Sequence, residues 1–338
     1  MFLREQLEQN ELTNLSPFAA KALYSRGRVN AEEPDSYRTC FQRDRDRIIH
    51  SKALRRLMHK TQVFIAPEGD HFRTRLTHTL EVTQVSRTIA RSLGLNEDLT
   101  EAIGMGHDLG HTPFGHMGEA ILNEIHPGGF KHNVQSLRVV DVLEKDYKGK
   151  TLNLTAEVRD GIRNHSGSDV PFTMEGQIVR IADRIAYINH DIDDAVRSGI
   201  IVAEDVPTEF TEHPGFSFGN RINYFVSDII QNSDGKDSIR QSAEAADIMN
   251  NLRNWLFKNV YENPIVRSPS EIEKVRVIVS ALYGYFLKNP DKLDEDEQLL
   301  IPSDGLNEVV KDHIAGMTDR YAISLYQQLF VPSGWSIL

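Results

Sequence analysis

The sequence predicts an all-α protein, a helical core followed by an appended C-terminal helical subdomain. Three observations carry this expectation. Apolar residues recur at spacings of three and four through most of the chain, the period of one face of an α-helix. Runs of alternating β-branched residues are scarce. Gly, Pro and Asn punctuate the periodic stretches at helix-length intervals. At 338 residues the chain exceeds the usual single core, so one large domain or a core with a subdomain is expected.

Residues 1–50 read as an N-terminal segment, 51–202 as the core and 203–338 as a helical region packed on it. Lys60 to Ala66 is the best strand or hairpin candidate, and it is short. From Thr79 to Leu93 the apolar positions Leu80, Val82, Val85, Ile89, Ala90 and Leu93 predict a helix that Gly94 stops. Asn96 is placed to cap the next helix, which runs through Leu99, Ala102, Ile103 and Met105 into His107-Asp108. Gly110 and Pro113 break it. A short helix from Gly118 to Ile125 follows, stopped by Pro127-Gly128-Gly129. Asn133 to Tyr147 is helical with Val134, Leu137, Val140 and Leu143 on one side, and Thr155 to Asn164 is helical too. Glu175 to Arg197 is long, with a core stripe of Ile178, Ile181, Ile185, Ile188 and Ile192. Residues 203–219, with two prolines, acids and glycines, read as a connector. Helical stretches at about 221–232, 236–262, 268–288, 306–315 and 317–330 complete the chain.

Composition narrows the function. Forty-nine acids against 38 bases leave a formal charge of −11, which disfavours general nucleic-acid binding as the main role. A few arginines can still make a positive pocket for an anionic small molecule. The lone cysteine, Cys40, rules out an internal disulfide and a thiolate metal cluster, and it fits a reducing compartment. The first residues carry acids and no apolar run, and no stretch approaches the ~20 apolar residues of a membrane span. A cytoplasmic protein with no membrane partner is expected.

Seven of the 13 histidines (71, 78, 107, 111, 116, 126 and 132) fall within 62 residues, where an even spread would put about two. The densest stretch is His107-Asp108-Leu-Gly-His111-Thr-Pro-Phe-Gly-His116-Met-Gly-Glu119. A single His or Asp at a helix end is ordinarily a cap or a dipole partner, but no packing need asks for this crowd. His78 opens the helix before the one ending at His107-Asp108. Two antiparallel helices with a short loop bring those ends together, so His78, His107 and Asp108 can meet, with Asp183 of the long helix as fourth ligand. Two imidazoles and two carboxylates suit a borderline or hard divalent cation and leave positions open for water and a phosphate oxygen. Asp183, Tyr187 and Asp191 lie four apart and share one helix face. Aspartate is a poor helix-interior residue, so this row reads as the polar wall of a pocket; the plain alternative is a solvated face.

This His…His-Asp…Asp pattern resembles the HD-domain phosphohydrolase superfamily. The likeness extends to Arg73-Thr-Arg75-Leu-Thr-His78-Thr-Leu-Glu81-Val, to the 107–119 segment, to Phe130-Lys-His132-Asn-Val-Gln-Ser-Leu-Arg138 and to Ala315-Gly-Met-Thr-Asp319-Arg320-Tyr-Ala. With the early Leu15-Ser-Pro-Phe-Ala-Ala-Lys21…Ser25-Arg-Gly-Arg28, these resemble the deoxyguanosine-triphosphate triphosphohydrolase family over about residues 14–330.

The resemblance implies an HD-domain helical core. It also implies cleavage of a deoxynucleoside triphosphate, dGTP or another dNTP, between the 5′ oxygen and the α-phosphate to give deoxynucleoside and triphosphate. One divalent ion is expected on His78, His107, Asp108 and Asp183. The histidine content leans toward Mn²⁺ or Fe²⁺, with Mg²⁺ also open. His116 and Glu119 match a catalytic pair, the imidazole protonating the 5′ oxygen. His111 and His132 match positions facing the phosphates, and Arg75 a phosphate-binding arginine. Gln62, Tyr187 and Asp191 match the sugar side, Tyr187 packing where a 2′ hydroxyl would go and Asp191 accepting from the 3′ hydroxyl. Arg73 reads as a second neighbour of the phosphate-binding Arg75 or as solvated, the Arg55-Arg56 pair as solvated or, by the resemblance, as part of an interface or nucleotide regulatory site, Asp319-Arg320 as a structural ion pair, and His165 equally as a helix cap or a pocket residue. A homo-oligomer, tetramer or hexamer, and an activating nucleotide at a regulatory site are further implications. Alternative readings are an HD-type nucleotide monophosphatase or phosphodiesterase, and a nucleotide-sensing or nucleic-acid-binding protein with a vestigial site.

Overall fold

The computed structural model describes residues 3–62, 73–146, 148–207, 210, 220–264, 266 and 268–332. Among them there is no sheet, only isolated bridges such as Thr61 to Thr74. The strand candidate keeps just that bridge, since its residues 63–66 lie outside the described residues, as does His71. The connector is likewise described only in part. No described helix is long and apolar enough to cross a membrane.

Three helices precede the predicted ones: α1 (Arg4–Asn14), α2 (Cys40–Ile49) and α3 (Lys52–Arg56). The centre is an antiparallel pair, α4 (Arg75–Ser92) and α5 (Glu97–Gly106). Thr74 caps α4 by accepting from Thr77 N, and Asn96 caps α5 by accepting from Leu99 N. Gly94, at φ +64°, makes the stop between them. Two short helices, α6 (Gly115–Ile125) and α7 (His132–Arg138), follow the crowded histidine segment. α7 passes into a π-helical turn, Val139–Leu143, and ends four residues before the predicted Tyr147. α8 (Ala156–Asn164) leans on α9 (Met174–Arg197), which crosses both α4 and α5. In α9, Ile178, Ile185, Ile188 and Ile192 are fully buried, each stabilising the fold by about 1.5–3 kcal/mol, while Ile181 is half-buried. Leu80 and Val134 depart from the predicted stripes and face solvent.

Beyond the core, α10 (Arg221–Ser233) and α11 (Ala243–Leu256) bury Phe225, Ile229, Leu252 and Leu256 in the same apolar cluster as α4, α5 and α9. Residues 236–242, predicted helical, are not, because the Ser242 hydroxyl caps α11 by accepting from Ala245 N. α12 (Pro269–Lys288), α13 (Leu306–Gly316) and α14 (Asp319–Phe330) build a second cluster. Its other wall is α6 and the residue before it: Phe114, Met117, Ile121 and Leu122 pack on Val275, Val279, Leu282 and Phe286.

Candidate active site

The end of α5, the start of α4 and the middle of α9 converge, as the antiparallel pairing requires. His78 Nε2 lies 3.0 Å from Asp183 Oδ1. His107 Nε2 lies 3.5 Å from Asp108 Oδ1 and 3.8 Å from Asp183 Oδ1. The ligand atoms of His78, His107 and Asp108 all fall within 4.8 Å of one another. His107 is fully buried, and its Nδ1 donates to the Gly104 carbonyl at 2.7 Å. That bond leaves a bare Nε2 lone pair, with no hydrogen-bond partner, aimed at two carboxylates. Lone pair against anions is repulsive unless a cation sits between them. The donor set therefore fits a divalent metal ion, its imidazole orientation fixed by a backbone carbonyl. Burial raises the Asp108 and Asp183 carboxyls, but the hydrogen bonds they accept, from the Arg75 guanidinium at Asp108 and from His78 at Asp183, help outweigh it, and both lie well below the usual range.

Beside this cluster opens a cavity of about 520 Å³. Gln62, Arg75, His78, Asp108, His111, His116, His132, Asp183, Tyr187 and Asp191 line it, so ten of the twelve predicted site residues meet there. His107 and Glu119 stand just behind the wall. Arg75 is buried and donates through Nη1 to Asp108 Oδ2 at 2.9 Å, yet its Nε and Nη2 have no partner. Gly115, at φ +56°, brings the loop close: a side chain there would lie 3.5 Å from Arg75 Nη2 and 3.3 Å from the Gln62 carbonyl.

The imidazoles form an ordered set. His111 stacks on His132 with centroids 4.1 Å apart and planes inclined by 13°. Burial, then the Arg75 guanidinium, push His111 far down, so it is neutral. Burial opposes charge on His132 too, but Glu119 carries it up, bonded at 3.0 Å to Nδ1 and at 2.9 Å to the backbone N–H. His132 Nε2 meets His165 Nε2 at 3.2 Å, while His165 Nδ1 donates to the Ile162 carbonyl at 2.7 Å. Burial pushes His165 down to about 3, so it accepts from His132. His165 thus does both things read for it: it caps α8 and faces the pocket. The expected His116–Glu119 pair is looser than its neighbour. His116 Nδ1 is 3.6 Å from Glu119, and its side chain is 76% exposed at the cavity mouth, because the Glu119 carboxylate turns inward to His132.

Asp191 accepts from the Tyr261 hydroxyl, and burial pushes its carboxyl up to about 7. Tyr261, like Arg184 and Arg253 on the rim, escaped the sequence reading. Tyr261 is 70 positions from its partner, and nothing local marks it. Arg184 adjoins Asp183 and was legible in principle. Arg73, read as solvated, is instead tied to Asp194 at 2.6 Å and Glu81 at 3.1 Å. Asp319 serves backbone N–H groups of residues 61 and 114 in place of the expected ion pair with Arg320.

A buried His-Asp cluster beside a polar cavity on an all-α scaffold defines the HD-domain class of hydrolases. Residues 75–188 match the HD domain, and residues 239–328 a phosphohydrolase-associated domain. The chain is 55% identical over 335 residues to a deoxyguanosinetriphosphate triphosphohydrolase-like protein of Caldanaerobacter subterraneus subsp. tengcongensis, covering 99% of this chain and 98% of that one. It is 47% identical over 352 residues to one of the same description from Desulfatibacillum aliphaticivorans, covering 98% and 99%. The chain belongs to this family of deoxyguanosinetriphosphate triphosphohydrolase-like proteins.

Proposed function

We propose that this protein hydrolyses deoxynucleoside triphosphates to deoxynucleoside and inorganic triphosphate. One observation carries the reading. A cluster suited to a divalent cation shares its cavity with a buried guanidinium whose Nε and Nη2 are unpartnered, and with four further imidazoles. Buried donors of that kind cost stability unless a ligand accepts from them, and an anionic phosphate is what they match. A substrate with several phosphates uses all of them; a monophosphate would leave most idle.

His78, His107, Asp108 and Asp183 would hold the ion, which when bound supplies Lewis-acid polarisation of the α-phosphate. Arg75 binds phosphate oxygens through its free N–H groups, and neutral His111 donates one hydrogen bond. His132, charged by Glu119, adds a positive charge at the same wall. Arg184 and Arg253 place positive charge at the mouth of an otherwise acidic protein, where it attracts a polyanion. His116 supplies the proton that the departing 5′ oxygen needs, with Glu119 behind it. On the sugar side, Asp191, fixed by Tyr261, accepts from the 3′ hydroxyl. Tyr187 packs against C2′, with Gln62 opposite.

The test is product analysis with every dNTP and NTP, singly and in pairs, in Mn²⁺, Fe²⁺ or Mg²⁺. Equimolar deoxynucleoside and triphosphate is the expected result. Orthophosphate or pyrophosphate as the only inorganic product refutes the reading and favours an HD-type monophosphatase or phosphodiesterase.

A further inference from the structure

Among the described residues none lining the active-site cavity lies beyond Val266, yet the C-terminal helices reach the catalytic loop. Asp319, the first residue of α14, is buried. Its Oδ1 accepts from Phe114 N at 3.0 Å, while its Oδ2 accepts from Thr61 N at 3.2 Å and from the Thr61 hydroxyl. One carboxylate therefore ties two separate strips of backbone. The first, residues 60–62, carries Gln62 into the cavity, and its Lys60 carbonyl accepts from Arg75 N. The second, residues 111–116, carries His111 and His116.

Lys60 closes the same junction from the other side. Its buried ammonium donates to the carbonyls of His111 and Ala315. A lysine is rarely buried without a carboxylate partner, and the nearest claims on this one are two carbonyls from two distant parts of the chain. The loop it grips is not relaxed. Phe114 adopts φ +62°, a left-handed conformation unfavourable for a residue with a side chain, and Gly115 follows at φ +56°. Such a turn persists only where its surroundings impose it. Here the imposing contacts are the Asp319 carboxylate on the Phe114 N–H and the Phe114 ring in the second apolar cluster.

We infer that Asp319 is a positioning residue for catalysis: with Lys60 it fixes the loop bearing His111 and His116 against the strip bearing Gln62. The inference rests on the proposed reaction for its consequence, though not for its geometry. The metal ligands sit on α4, the end of α5 and α9, and none of them bonds directly to Asp319 or Lys60, so loss of Asp319 separates proton delivery from metal binding.

Asp319→Asn is nearly isosteric but presents an amide NH2 where an acceptor is needed. Hydrogen exchange should speed up at 60–62, at the Arg75 N–H bonded to Lys60 and at 111–119, and stay unchanged in the rest of α4 and in α5. Metal content should match the parent. With dNTP, kcat should fall about 10²-fold, the usual penalty for a catalytic group displaced by an ångström, with a smaller change in KM. A dNTP with sulfur in place of the bridging 5′ oxygen, whose thiolate leaves without a proton, should lose far less. Arg320→Ala, exposed on the next position, is the control and should behave as the parent. Unchanged exchange at 111–119 overturns the inference, and so does an equal loss on the oxygen and sulfur substrates. If the parent releases no triphosphate, the proposed function fails by itself, and the exchange measurement still decides whether Asp319 holds the loop.

Discussion

Glu175 offers a test of how α9, the helix that carries Asp183, is anchored. It lies at the start of α9, fully buried, and its Oε1 accepts from Ala20 N and Asn96 N, both at 3.0 Å. Oε2 is buried without a partner. Burial outweighs the two backbone hydrogen bonds and pushes the carboxyl from 4.5 up to about 7. Between those values the folded protein keeps a proton that the unfolded chain has released. The unfolded state binds fewer protons, so this group's contribution falls as pH rises from about 4.5 to 7 and is then lost in full. At 1.36 kcal/mol per pH unit the loss is about 3 kcal/mol. In Glu175→Gln the amide carbonyl still accepts from both N–H groups, and no charge can form. The variant should match the parent near pH 5 and exceed it at pH 8 by about 5 °C in melting temperature, taking about 2 °C per kcal/mol for a chain of this length. Differential scanning fluorimetry from pH 5 to 8 reads the difference directly, since other titrations cancel between the two proteins. Parallel curves, or a variant less stable at pH 8, refute the reasoning.

Two other outcomes are expected. His107→Ala removes the imidazole whose bare Nε2 faces Asp108 and Asp183; divalent-ion affinity should drop more than about 100-fold by equilibrium dialysis with elemental analysis, since even outer partners of metal ligands matter by 10–100-fold. Retained ion and turnover would show that the cluster is not the metal site. Gly110→Ala puts a methyl 2.1 Å from Ser136 N and 2.6 Å from the His132 carbonyl, so the loop and α7 must part. Urea unfolding should register a loss of about 3 kcal/mol, and a loss under about 1 kcal/mol would mean the contact relaxes freely.

What could be read in advance follows the range of the forces involved. The helices α4, α5 and α9 were visible because each has a local period and local caps, Asn96 and Gly94 among them. His78, His107 and Asp108 could be assembled because the short connection between α4 and α5 dictates antiparallel neighbours. Groups whose role arises only on packing stayed hidden. Tyr261 reaches Asp191 across 70 positions, and Asp319 reaches Thr61 across 258. Glu119 was legible as a partner for an imidazole, but the geometry gives its tight bond to His132, 13 positions on, over His116, three positions back. Arg73 looked solvated because its partners, Glu81 and Asp194, are not adjacent in sequence.

The shared wall between α6 and α12 bears on how such chains can be recombined. Phe114, Met117, Ile121 and Leu122 sit next to the histidines in sequence but fill the interior of the C-terminal half. A chimera that joins residues 1–268 of one relative to 269–332 of another asks side chains chosen in one lineage to interdigitate with those chosen in a second. Volume mismatches of a methylene or two at Val279 or Phe286 would be felt first along α6, the helix that bears His116. The two halves are thus expected to be inherited as a matched set, and successful hybrids should be those that also transplant 114–122.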